Sequence, residues 1–145
     1  MVEAVIGAVA ELSGRCFCGQ VTWRSNGPVL WSGNCHCESC RRATSAPFTS
    51  FFGVPRDSVS WRGQLSDNLS SGGKVTRQFC AACGTQMSYK NVIWPEEIHL
   101  YAATLDDPAQ VTPQAHFHYA ERLHWVDIVD DLPKYSGSAD TTEAL

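Results

Sequence analysis

Seven cysteines in a chain of 145 residues constrain the fold more than any other feature, because disulfides cannot use up an odd count. They form three groups: Cys16-Phe17-Cys18-Gly19, Cys35-His36-Cys37-Glu38-Ser39-Cys40 and Cys80-Ala81-Ala82-Cys83-Gly84. Two thiolates one or two residues apart can face one zinc ion at about 2.3 Å, and two such pairs close a tetrahedral site. In the first and last groups a glycine follows the second cysteine. It lets the chain turn with a positive φ and aims backbone N–H groups at the sulfurs. This pattern assigns Cys16, Cys18, Cys80 and Cys83 to one structural zinc that clips the first strand to a strand some sixty residues later. Such a site contributes roughly 10 to 16 kcal/mol, comparable with the whole stability of a small domain. Spacing alone does not choose partners. Two disulfides, four unrelated buried thiols, or a pairing of Cys16 and Cys18 with the middle group are the alternatives.

The middle group differs, with three cysteines in six residues and Arg41 and Arg42 where the others have glycine. Three protein ligands leave a fourth position for water or substrate, the pattern of a catalytic zinc. Three thiolates on Zn²⁺ carry a charge of about -1, which the Arg41 and Arg42 guanidinium groups are expected to offset. A thiol bound there is held as thiolate at neutral pH, ready to add to a small electrophile. Three other readings compete with this one. His36 could close the site, although an extended segment turns it away from Cys35 and Cys37. His99, His116, His118 or His124 could reach in from elsewhere. Cys37 and Cys40 could also form a redox dithiol. His116 and His118, alternating along one expected strand, read as hydrogen-bonded or exposed side chains.

Apolar types make up 43% of the chain and charged types 18%, with five Trp, six Phe and four Tyr, which is core-forming material and not the composition of disorder. The length suits one domain, set at residues 1–135, with 136–145 as a flexible tail. Prolines between short apolar runs disfavour long helices. Gln20–Ser25, Phe48–Val54, Val59–Trp61, Val75–Phe79, Gln86–Tyr89, Ile98–Ala102 and Ala115–Tyr119 read as strands. Val21 and Trp23 share one face. Helix is confined to about two turns after Cys37 and a piece near the N-terminus. The class is mainly β, with antiparallel sheets.

The formal charge is -4, from 11 basic and 15 acidic residues. No basic stripe offers phosphate contacts, so neither a nucleic-acid partner nor zinc-finger recognition of DNA is expected. No run approaches the roughly 20 apolar residues of a membrane span. Met1 to Ala10 lacks the basic start of a signal peptide. A reducing, cytoplasmic setting follows, where closely spaced cysteines are more often metal ligands than disulfides.

The order Gly14-Arg15-Cys16-x-Cys18-Gly19-x-Val21, Cys35-His36-Cys37-x-x-Cys40-Arg41-Arg42, Arg77-x-Phe79-Cys80-x-x-Cys83-Gly84-Thr85 and Thr104-Leu105-Asp106-Asp107-Pro108 resembles the family of glutathione-dependent formaldehyde-activating enzymes, also called the centromere protein V-like family. The segment from His124-Trp125 to Leu132-Pro133 fits as well, so the resemblance spans about residues 12–135. Ser45 stands where many members have glycine. The resemblance implies a zinc-stabilised, Mss4-like β-tent with short helical turns. It also implies a structural zinc at Cys16, Cys18, Cys80 and Cys83, and a catalytic zinc at Cys35, Cys37 and Cys40 where the glutathione thiol meets formaldehyde. The expected activity is that of a carbon–sulfur lyase forming S-(hydroxymethyl)glutathione. Arg41, Arg42, Lys74 and Arg77 are cationic candidates for holding the thiol's charged ends, and Glu38 and His36 candidates for moving protons. The competing reading is a non-catalytic, zinc-stabilised binding or chaperone-like module with exposed aromatics at Trp31, Trp61 or Trp94.

Overall fold

Short apolar runs broken by proline and glycine leave strand pairing as the way to satisfy the backbone, and strands dominate. The structure, a computed structural model, describes residues 10–138. In chain order the elements are β1 (Leu12–Arg15), β2 (Thr22–Ser25), β3 (Trp31–Cys35), α1 (Glu38–Thr44), β4 (Thr49–Pro55), β5 (Val59–Arg62), β6 (Leu65–Ser70), β7 (Val75–Cys80), β8 (Gln86–Asn91), β9 (Glu97–Tyr101) and β10 (His116–Phe117). One sheet has the order β1-β2-β5 and the other β10-β3-β4-β9-β8-β7-β6. Pairing is antiparallel throughout except for β10 beside β3. No helix among the described residues is long and apolar enough to cross a membrane.

The two faces of the large sheet do different things. Residues of even number on β4 and β9, with Met87 of β8, turn inward: Phe52, Val54, Ile98 and Leu100 join Val21 and Trp23 of the small sheet in the main core. The Trp23 and Phe52 rings lie 5.9 Å apart. Val21 and Trp23 are both buried, as their alternation requires.

The outer face carries a second, aromatic layer, because one register row aligns Tyr89, His99, Gly53 and Trp31 across four strands. Gly53 makes this row possible. A Cβ there would sit 2.2 Å from the Trp31 indole nitrogen, so only glycine lets Trp31 cross the strand and meet His99 edge-on at 4.6 Å. Gly33 does the same for Phe117, whose ring would lie 2.2 Å from an added Cβ.

Four strands differ from expectation. β3 reads Trp-Ser-Gly-Asn-Cys, yet it is nearly all buried between β10 and β4. Its polar side chains are satisfied internally: Ser32 Oγ donates to Thr112 O at 2.8 Å, and Ser50 Oγ donates to Asn34 Oδ1 at 2.6 Å. β6 is a polar edge strand paired with β7 alone. β1 is a strand that the sequence does not announce, and residues 1–9, at the N-terminus where a helical piece is expected, lie outside the described part of the chain. The strand expected over Ala115–Tyr119 shrinks to His116–Phe117, since His118 turns left-handed at φ 52°. Of the expected tail, residues 139–145 lie outside the described residues. Before that, the Gly137 carbonyl accepts from His118 N at 2.9 Å.

Candidate functional site

The first and last cysteine groups come together. Cys16 follows β1 directly, Cys80 ends β7, and the sulfurs of Cys16, Cys18, Cys80 and Cys83 lie within 4.8 Å of one another. Cys16 and Cys18 sulfurs are 3.6 Å apart and those of Cys18 and Cys80 3.8 Å. A tetrahedron with about 2.3 Å metal–sulfur bonds has edges of about 3.8 Å, whereas a disulfide needs about 2.05 Å. All seven cysteines are free. Gly19 and Gly84 both have φ of 80°, and the turns they close aim Val21 N at Cys16 Sγ (3.3 Å) and Cys83 N at Cys80 Sγ (3.4 Å). The Thr85 hydroxyl, 3.1 Å from Cys83 Sγ, is the leading cause that lowers that thiol's pKa to about 5. This group can hold a metal ion, and because β1 and β7 belong to different sheets it would tie the two sheets together.

The middle three cysteines form a second group, also with sulfurs within 4.8 Å. Cys35 is the last residue of β3, opposite Thr49 on one side and Phe117 on the other. Cys37 caps α1, its sulfur accepting from Cys40 N at 3.3 Å, and Cys40 is buried in the helix's first turn. Donation from the Cys35 and Cys40 thiols pulls Cys37 down to about 2, and hydrogen bonds to Cys37 and Cys40 push Cys35 well above the ordinary range. One of the three therefore gives up its proton readily, as a metal site demands. No histidine nitrogen joins the three sulfurs among the described residues. His99 and His118 do line the cavity beside them.

His36 points away from that cavity. Its ring is fully buried among Phe48, His116 and Tyr119, and burial lowers its pKa to about 4, leaving it neutral. His36 Nε2 lies 2.9 Å from His116 Nδ1, and His116 Nε2 lies 2.9 Å from Asp130 Oδ2. The carboxylate fixes the tautomers by accepting from His116 Nε2–H, so His116 Nδ1 accepts from His36 Nε2–H. His36 Nδ1 is left as a buried lone pair without a partner. Asp130 carries no signal of its own in the sequence, because nothing in its spacing links it to His116 or, through it, to His36.

The cationic candidates separate. The Arg41 guanidinium is bonded to the His36 and Glu121 carbonyls, and Arg42 pairs with Glu38 on the exposed helix face. Neither sits against the thiols, which corrects the expectation that they offset the thiolate charge. Arg77 does: it is buried, its Nη2 is 4.0 Å from Cys40 Sγ, and its guanidinium lies over the Tyr89 ring. Lys74 is exposed. Trp31 is buried, and Trp61 and Trp94 are half-buried, the first against the main core and the second on the cavity wall.

The three middle sulfurs sit at a cavity of about 120 Å³. Trp31, Phe51, Tyr89, Trp94, His99 and Phe117 line it. Glu97 also reaches it, but its Oε2 accepts from Trp31 Nε1 at 3.0 Å and lies 3.1 Å from His99 Nε2. The cavity thus combines a thiol cluster with an otherwise apolar wall.

Comparison with known proteins agrees with this geometry. A family model described as glutathione-dependent formaldehyde-activating enzyme matches residues 11–121. A Halomonas elongata protein named "Putative glutathione-dependent formaldehyde-activating enzyme" is 27% identical over 130 residues, covering 81% of this chain and 80% of that one. An uncharacterized lyase of Schizosaccharomyces pombe is 32% identical over 79 residues, 54% of this chain and 57% of its own. The crystal structure of a Rhodobacter sphaeroides protein shares the fold with a TM-score of 0.56 at 23% identity, covering 70% of this chain and 91% of that one.

Proposed function

This chain belongs to the family of glutathione-dependent formaldehyde-activating enzymes, and from that premise we propose that it is a carbon–sulfur lyase-type enzyme. It would form and break the adduct between a small thiol, glutathione first, and formaldehyde. The observation that carries this reading is the middle cluster: three sulfurs within 4.8 Å, without a fourth protein ligand among the described residues, at the foot of a cavity.

Both clusters fit zinc in donor type and spacing. Cys16, Cys18, Cys80 and Cys83 would hold a structural ion, and Cys35, Cys37 and Cys40 a catalytic one. Zinc bound at the three-cysteine group supplies the positive charge that keeps an added thiol deprotonated at neutral pH. The chain's own residues supply the setting. Arg77, 4.0 Å from Cys40 Sγ, offsets the negative charge that three thiolates accumulate. The aromatic wall covers part of the surroundings of the reacting sulfur, so a thiolate there is less solvated than in water and more nucleophilic. Positioning of thiol and carbonyl together accounts for the rate, with no separate nucleophile required. Glu38 is exposed and paired with Arg42, and His36 faces away from the cavity, so solvent delivers the proton to the carbonyl oxygen.

Seven unpaired thiols suit a reducing compartment, and we place the enzyme in the cytoplasm, with residues 1–135 acting as one unit. Magnetisation-transfer NMR on glutathione and formaldehyde tests the activity. The full chain carrying two equivalents of zinc should exchange the adduct faster than buffer alone. Equal rates would remove the substrate assignment.

A further inference from the structure

The cavity over the middle cysteines is larger and more apolar than formaldehyde requires. A water molecule needs roughly 10 to 15 Å³ of such space, and an apolar cavity on the order of 150 Å³ holds a benzene ring. At about 120 Å³, this one would be left mostly empty by a carbonyl of two heavy atoms. Its walls carry ring faces and edges, and no Lys or Arg lines it among the described residues. Glu97 is committed to Trp31 and His99. Arg77 stands behind Cys40 against Tyr89 and does not line the space. The cavity's polar lining is Glu97, His99, His118 and Ser138, so the carboxylates of a peptide thiol meet no Lys or Arg inside it.

The wall is also built to stay open. Gly53 and Gly33 occupy positions where a Cβ would come within 2.2 Å of Trp31 and Phe117, so both rings lie back across the sheet instead of standing into the space. Trp31 is pinned further by its indole bond to Glu97 at 3.0 Å and by edge contacts with His99 and Phe117.

We propose that this cavity receives the apolar substituent of an aldehyde, branched aliphatic or aromatic and up to about a phenyl ring in size. The electrophile is then a substituted aldehyde in preference to formaldehyde. The inference rests on the thiol–carbonyl reading of the same site. In the step, the thiol loses its proton to solvent and its sulfur adds to the carbonyl carbon. A carbon–sulfur bond forms, the carbonyl π pair moves to oxygen, and that oxygen takes a proton from solvent. The product is a hemithioacetal, and nothing is oxidised or reduced.

The test uses the full chain with two equivalents of zinc. Glutathione exchange is followed by NMR with formaldehyde, isobutyraldehyde, benzaldehyde and 2-naphthaldehyde, each as the rate over its own uncatalysed exchange. Filling an apolar pocket is worth about 10-fold or more per group of this size. The acceleration should rise at least that much from formaldehyde to benzaldehyde and fall again for the two-ring aldehyde. Trp94→Ala, at a half-exposed wall position, should cut the benzaldehyde-to-formaldehyde ratio several-fold, and Phe117→Ala should do likewise. Benzyl alcohol, an unreactive probe, should shift the Trp31 and Trp94 indole resonances saturably. A flat or falling aldehyde series with formaldehyde exchange intact overturns the inference and leaves the thiol–formaldehyde reading standing. A ratio unchanged in both variants overturns it as well. Saturable benzyl alcohol binding with no aldehyde accelerated overturns the thiol–carbonyl reading, and the aldehyde with it.

Discussion

Replacing His116 by phenylalanine should damage the loop that carries Cys35 and Cys37 without touching either cysteine. His116 is fully buried, and its two 2.9 Å bonds link His36 to Asp130. A phenyl ring keeps most of the volume, so the cavity term is small. The polar term is not. His36 Nε2–H loses its acceptor inside the protein, and since His36 Nδ1 already has none, the ring ends with neither nitrogen paired. A lost hydrogen bond is worth about 1 kcal/mol and a buried orphan donor about 1 to 3 kcal/mol, giving a total of about 2 to 4 kcal/mol. For a domain of this size that lowers Tm by about 5 to 15 °C. Thermal melts of the zinc-loaded protein measure the first effect. Alkylation by iodoacetamide, read by mass spectrometry, measures the second: Cys35 and Cys37 should react several-fold faster, with Cys16, Cys18, Cys80 and Cys83 unchanged. Asp130→Asn keeps an acceptor oxygen and should do less on both counts. A Tm within about 1 °C of the parent, with unaltered cysteine reactivity, would refute the strut.

Ser45 caps α1 at φ 56° and ψ 32°, a left-handed conformation that strains any residue but glycine. Ser45→Gly should therefore stabilise the protein by about 1 kcal/mol, visible as a higher urea midpoint with the slope unchanged. Burial lowers the pKa of His99 below its ordinary 6.5, and Glu97 opposes that shift only in part. The unfolded chain takes up this proton as pH falls through about 6.5 and the folded chain does not. Its contribution is therefore complete above that pH and is lost progressively below it. His99→Gln should flatten the decline in stability between about pH 6.5 and 5; a slope parallel to the parent's would contradict the assignment. Chelation should part the two sheets, because Cys16–Cys18 and Cys80–Cys83 join β1 to β7. The near-ultraviolet circular dichroism of the tryptophans should collapse, and a spectrum that survived full metal removal would deny the structural role.

Much of this architecture is legible in the chain. The cysteine–glycine knuckles specify their own turns, and Gly19 and Gly84 adopt the positive φ their position demands. β4 and β9 announce themselves because both of their faces are covered, giving apolar and aromatic residues along most of their length. β3 and β6 do not. The buried Ser32 and Asn34 are paid for by hydrogen bonds to residues distant in sequence, and the polar β6 is held by backbone pairing with β7 and by side-chain bonds from Arg77 and Gln78 to Ser70 and Asp67. The same limit hides the site's supports. Alternation along Cys35-His36-Cys37 turns His36 away from the thiols, but His116 and Asp130 meet it only through the β3–β10 pairing and the chain beyond. Arg77 is another case. Arg41 and Arg42 are the near neighbours in sequence, yet a helix of seven residues carries them outward, and β7 delivers the cation that reaches Cys40.

The middle three cysteines should hold a metal ion with room for an incoming thiol. Cobalt(II) substituted for zinc in the full chain tests it most directly, because its thiolate charge-transfer absorption reports the number of sulfurs bound. Glutathione should raise that absorption saturably, by one sulfur per chain, and Cys40→Ser should abolish the increase while leaving the four-cysteine signal in place. A spectrum indifferent to glutathione would contradict the account.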